Sequence, residues 1–272
     1  MVLGRAARAI DVDARSATAW FEDSLRIFRE IDQADGIGWM LGCLADEQLK
    51  AGDLEGAASR ATEAFDLGTR SGMLGVSAVS RRVLAMVAAI RGQHTDAERL
   101  FEEAAAAHEQ AGDRWQLALM LTLLAQLAFD RGDDARALAP LRRALGLARD
   151  SGSGERMICA VELAAHVLQH RGRAPEAATL VGAVEEVHLR LPLTSEQLLR
   201  RRPLITQVVS GTGFTPLASL VRAELDEHRV AGRSLSLERA ADLALRVLDE
   251  ELALAANSAG KGSEAPGTRR PP

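Results

Sequence analysis

The chain contains no tyrosine, and its aromatic residues make up only 3% of 272 positions. A core here cannot rest on large rings and must be assembled from many modest contacts. Cysteine is nearly absent: Cys43 and Cys159 lie far apart inside apolar helical patterns. This excludes a disulfide framework and fits a reducing cytoplasm, the expected location. The only lysines are Lys50 and Lys261, the other basic residues being arginine. That skew points to a GC-rich genome rather than to a function. With a net charge of -5 the chain has no basic excess to hold nucleic acid or an anionic membrane. The longest uncharged apolar run, around Val83 to Ile90, is far too short to span a bilayer. The opening residues MVLGRAARAIDVDAR carry charges through their apolar stretch and do not read as a secretory signal.

What is present is helix-forming. Hydrophobic residues are 47% and charged residues 26%, enough for a core and a soluble surface. Ala, Leu, Arg and Glu dominate, all good helix formers. They are arranged in register. Gly52, Gly92, Gly132 and Gly172 recur every 40 residues. Five residues after each stands Ala57, Ala97, Ala137 or Ala177, and seven before each stands Ala45, Ala85, Ala125 or Ala165. A second column, Gly72, Gly112 and Gly152, falls halfway between. The pattern predicts a stacked helical hairpin with both turns marked and helices of roughly 15 to 18 residues.

Each column has a local reason. Small residues at both alanine positions let the two helices of a hairpin (A, then B) approach closely. The glycine ends helix A by taking a left-handed conformation. Asp53 and Asp133 follow it and suit the start of helix B. Phe101, Leu141 and Val181 share a filling column with Ala61. Ala64, Ala104 and Ala144 form a seam one turn on. The 12-residue spacing of Ala45 to Ala57, repeated three times, resembles a tetratricopeptide array lengthened to 40 residues from the usual ~34. The resemblance implies an all-α, right-handed superhelical solenoid of tetratricopeptide-like hairpins with a C-terminal helical cap.

The array begins in mid-repeat. Ala17 and Asp13 extend the columns backward, so residues 14 to 31 read as a helix B. Residues 1–13 form an incomplete first helix or cap, leaving Leu25, Ile27 and Phe28 poorly covered. The chain therefore reads as the C-terminal piece of a longer protein, with self-association through that end as one outcome. The repeat array spans 14–190. After Ala177 the register decays, and Pro192 stands where a closing glycine is due. Residues 191–255 read as a C-terminal helical cap. It holds a helix capped at Thr194 or Ser195, breaks at Gly211, Gly213 and Pro216, a helix from about Leu217 to Arg229, and a last helix capped by Ser236. Residues 256–272 are low in apolar content and read as a disordered tail.

This last quarter has its own resemblance. Leu180, Gly182, Ala183 and Glu185, then Leu191 to Leu193, then Gly232, Arg233, Leu235, Ser236, Leu237, Glu238, Ala240 and Ala244 are similar to the segment ending the repeats of large bacterial LuxR/MalT-like signal-transduction ATPases. The resemblance implies a signal-sensing or protein-docking segment, with an upstream ATPase module as a partner. The chain departs from that family in two ways. It has no GxxxxGK[ST] loop, since GTGF at 211–214 lacks the lysine, and no helix-turn-helix follows the repeats.

Site chemistry is sparse. His166 and His170 stand at i, i+4 but have no third ligand nearby in sequence, so no metal is expected. No motif joins Ser, His and Asp, which disfavours an enzyme, and no cofactor is expected. Arg200, Arg201 and Arg202 read as a solvated basic face. Trp20, Trp39 and Trp115 read as packing residues. The tetratricopeptide resemblance places one lining of a concave groove at Gly42, Arg82, Thr122 and Glu162, and a second at Asp46, Met86, Gln126 and His166. That groove is either a binding surface for a protein or peptide or an unused solvated face. The functional expectation is a non-enzymatic interaction or sensing module, the regulatory part of a LuxR/MalT-like protein. The alternative is a free-standing adaptor holding a peptide in the groove.

Overall fold

The computed structural model describes residues 14–190 and 223–261. Nine helices of 17 residues fill the first stretch: α1 (Ala14–Glu30), α2 (Ala34–Lys50), α3 (Leu54–Arg70), α4 (Leu74–Ile90), α5 (His94–Gln110), α6 (Arg114–Asp130), α7 (Asp134–Asp150), α8 (Gly154–His170) and α9 (Ala174–Arg190). Even-numbered helices are the A helices and odd-numbered ones the B helices. Each starts 20 residues after the last, so the 40-residue period is two helices and two linkers of equal length.

The linker is three residues long because one residue serves two helices. At the end of α2 the Gly52 N–H donates to the Leu49 carbonyl, and the Asp53 N–H donates to the Gln48 carbonyl. Those two bonds satisfy orphan carbonyls in a Schellman motif. Asp53 then caps α3, its carboxylate accepting from the Gly56 N–H at 2.9 Å. Asp133 does the same for Arg136, as expected, and Asp113 for Gln116. Gly52 has φ +80°, and the six later linker glycines are also left-handed. Asp32 occupies the corresponding place after α1 with φ +51°. It is a member of the second column that its residue type conceals, since Asp tolerates this region better than most.

Packing follows the columns. All eight anchor alanines are at most 1% exposed. Ala61, Phe101, Leu141 and Val181 are buried in the filling column, as are Ala64, Ala104 and Ala144 in the seam. Neighbouring helices touch in sequence order, and successive A helices also touch, α2 with α4 and α6 with α8. The core is therefore serial, each hairpin buried by the next. Arginine–carboxylate pairs tie B helix to B helix along the outside: Glu22 with Arg60, Arg29 with Glu63, Glu98 with Arg136, and Glu109 with Arg143. Each has at least one exposed partner and contributes no more than about 1 kcal/mol.

The described part of the cap is a 3-10 turn (Ala223–Leu225), α10 (Asp226–Gly232) and α11 (Leu237–Lys261). Helix α11 lies against α7, α8 and α9. It buries Ala240, Ala241, Ala244, Val247 and Leu248 completely. Arg142 and Arg149 of α7 pair with Asp249 and Asp242 of α11. Glu251, 4% exposed, accepts from Arg171 and Arg173. Burial works to raise its pKa, but the two guanidinium bonds outweigh it and hold the carboxyl below its ordinary value. Ser236 caps α11 as expected, its Oγ accepting from the Arg239 N–H at 3.3 Å. The helix continues to Lys261, so the boundary expected at 255 falls inside it and residues 256–261 are helical rather than disordered. The expected features at Thr194, Ser195, Arg200 to Arg202, Gly211, Gly213 and Pro216 lie outside the described residues.

Candidate interaction surface

The A helices stack so that equivalent residues form rows across repeats. One row, ten residues before the anchor alanine, is exposed: Asp35, Gly75, Trp115 and Glu155. The next, Trp39, Val79, Leu119 and Cys159, is partly or fully buried. Contacts between rows join neighbouring repeats. A Cβ on Gly75 would sit 3.4 Å from the Trp39 ring, and one on Gly42 would sit 3.4 Å from Val79. The two expected groove rows come after these. Gly42, Arg82, Thr122, Glu162, Asp46, Met86, Gln126 and His166 are all buried. This exposed row of the A-helix layer thus lies two to three turns away from the rows that the spacing singles out.

The buried rows are polar, and their polarity is largely internal. Arg82 donates to both carboxylate oxygens of Asp46 at 2.7 Å, linking α4 to α2. It also contacts the Met86 sulfur at 3.7 Å. The Thr122 hydroxyl donates to the Ala118 carbonyl, and the Gln126 amide donates to Asp130 at 2.7 Å. Burial raises the Asp130 carboxyl above its ordinary value, opposed by that amide bond. Glu162 lies 3.6 Å from His188 of α9. Burial lowers the pKa of His108 in α5; Asp113 opposes this and Arg82 adds to it.

Arg156, in the first turn of α8, behaves differently. It is 7% exposed, yet among the described residues its Nε has no hydrogen-bond partner. Its guanidinium lies 3.7 Å over the ring of Trp115 from α6, and among the described residues the nearest carboxylate, Glu155, is 3.9 Å away. Burial pulls its pKa below the ordinary arginine value. Spacing does not reveal this pair, because Trp115 and Arg156 occupy neighbouring rows in different repeats. The helical pattern expects all three tryptophans to pack. Trp115 is instead 42% exposed and Trp20 45% exposed, and only Trp39 packs against the core.

His166 is buried and tilted against Phe129. His170 meets the same ring at 4.8 Å, also tilted, and pairs with Asp134. Among the described residues no group of three or more His, Cys, Asp or Glu could hold a metal ion. Cys43 and Cys159 are free and buried, and burial pushes the Cys159 thiol up to about 12, far from a nucleophile's range. No described helix is long and apolar enough to cross a membrane.

The tail motif residues come together as a packing device. Gly182 of α9 faces Gly232 of α10, and Glu185 accepts from Arg229 at 2.7 and 2.9 Å and from Arg233 at 3.3 Å. Leu180, Ala183, Ala240 and Ala244 are buried beneath. At the other end, α1 buries Leu25, contrary to expectation, while Ile27 stays 48% exposed beside Trp20 and Ile31.

Comparison with known proteins agrees with this architecture. A family profile described as tetratricopeptide repeat matches residues 76–150. Among solved structures, the crystal structure of BtubC (BKLC) from P. vanneervenii is similar at a TM-score of 0.55 and 15% identity. The match covers 95% of this chain and 96% of that one. The comparison with curated proteins gives no match. A tetratricopeptide-type helical repeat is thus present in an all-α solenoid, the kind of fold that serves as a protein–protein interaction module.

Proposed function

We propose that the chain is a non-enzymatic adaptor that holds a protein or peptide partner along the A-helix layer. The observation that carries this is the exposed row Asp35, Gly75, Trp115 and Glu155, which continues across four stacked repeats beside the buried polar rows. A run of equivalent positions at regular spacing suits an extended segment that touches each repeat in turn. The eight groove residues, from Gly42 and Asp46 to Glu162 and His166, then act as the supporting wall. The buried thiols and the absence of a membrane-crossing helix among the described residues are compatible with a cytoplasmic location.

A second reading places the chain as the regulatory part of a LuxR/MalT-like protein, docking on an ATPase module. It is supported by the tail motif alone, whose residues packing accounts for without a signalling role. Site-specific photo-crosslinkers at Gly75 and Glu155 separate these readings from each other and from an inert scaffold. The expected result is one partner captured from both positions and not from Glu63 on the B-helix side. An ATPase among the captured species favours the second reading. Equal capture from both sides, or none, sinks the proposal.

A further inference from the structure

Among the described residues, the guanidinium of Arg156 lacks an acceptor where other buried and half-buried guanidinium groups have one. Arg82 has Asp46, Arg171 and Arg173 share Glu251, and Arg229 has Glu185. An arginine carries five donors in a planar fork, and leaving them unmade in a buried site is costly. Arg156 keeps its Nε fully shielded with no partner, and its close companion is an aromatic face. Trp115 gives that face and is itself open to solvent. An indole fixes the guanidinium plane without satisfying any N–H, so the two terminal amino groups, not shielded as Nε is, stay available for an anion.

We infer that Arg156 and Trp115 form a subsite for a carboxylate side chain of an acidic partner segment. The Asp46–Arg82 pair is the same chemistry made internally, a carboxylate bridging an arginine between neighbouring A helices. A carboxylate suits the site better than a phosphate. Glu155, 3.9 Å away, and Asp113 set negative charge against the Arg156 guanidinium, with Arg82 opposing them, so a single negative charge is repelled less than a dianion. This rests on the adaptor reading and adds the chemistry of one contact.

The test uses the whole chain and two synthetic peptides, hexaglutamate and hexaglutamine, at one ionic strength. The three tryptophans give three indole N–H resonances, and Trp115→Phe assigns one of them. Hexaglutamate is expected to move the Trp115 resonance saturably, and hexaglutamine to leave it in place. Arg156→Gln is expected to weaken the response about ten-fold or more, and Arg156→Lys by less. No saturable shift in the unmodified chain overturns the inference, and this result needs no variant to fold. An unchanged response in a folded Arg156→Gln chain overturns it as well. A crosslinked partner whose affinity ignores Arg156 leaves the adaptor reading standing and removes this subsite. A hexaglutamate response with no partner captured does the reverse.

Discussion

Gly182 and Gly232 meet face to face where α9 crosses α10. A Cβ on Gly182 would come within 1.9 Å of the Arg229 carbonyl oxygen, and one on Gly232 within 2.0 Å of the Thr179 carbonyl oxygen. Each glycine accommodates the other helix's backbone, and backbone cannot rotate away as a side chain can. Gly182→Ala or Gly232→Ala is expected to cost on the order of 3 kcal/mol and to release the cap before the array. Hydrogen exchange should show α10 and α11 losing protection while α3 to α6 keep theirs. Uniform loss, or none, would contradict this role for the two glycines.

The Asp46–Arg82 pair supports a double-mutant cycle. Removing either partner leaves a charge in a buried row, at a cost of about 3–5 kcal/mol. Removing both, as in Asp46→Leu with Arg82→Met, should cost clearly less than the two single changes added together. Urea denaturation of the four proteins reads the coupling; additivity would mean that the pair is not a unit.

The linker glycines carry strain only when replaced. Gly92 has φ +74° with open space around it, so an added methyl clashes with nothing but must hold a left-handed backbone. Gly92→Ala should therefore destabilise by about 1–2 kcal/mol. The change should appear in the denaturation midpoint with no change in m-value.

His108 gives a pH signature. Burial holds its folded pKa below 6.5, so between that folded value and 6.5 the unfolded chain binds more protons than the folded one. Its contribution to stability is complete above pH 6.5 and is lost as pH falls from there through the folded pKa. His108→Gln should show a shallower fall in stability between about pH 7 and pH 5. An identical slope in both proteins would exclude His108 as the source.

The array is legible because its causes are local. A glycine at a left-handed linker, an aspartate capping the next helix and an alanine at a close crossing each leave a residue type at a fixed spacing. Asp32 escapes the pattern, because an aspartate at that linker leaves no glycine in the column. The end of α11 misleads in the other direction: residues 256–261 have little apolar content, yet the helix carries on through them.

The surface is less legible, since exposure depends on which rows neighbouring helices cover. Spacing puts Asp46, Arg82, Glu162 and His166 in the groove linings, and they do share rows. Only the packing of neighbouring helices, A and B, buries those rows and leaves Trp115 open. The pairing of Trp115 with Arg156, and of Gly182 with Gly232, joins residues 41 and 50 positions apart. Local sequence cannot specify such contacts. Residue types and their spacing are enough for the repeat, its linkers and its helices, because backbone conformation responds to near neighbours. Which polar groups are matched, and which, like the Arg156 Nε, have no partner among the described residues, follows only from the folded stack, because burial is set by what packs from elsewhere in the chain.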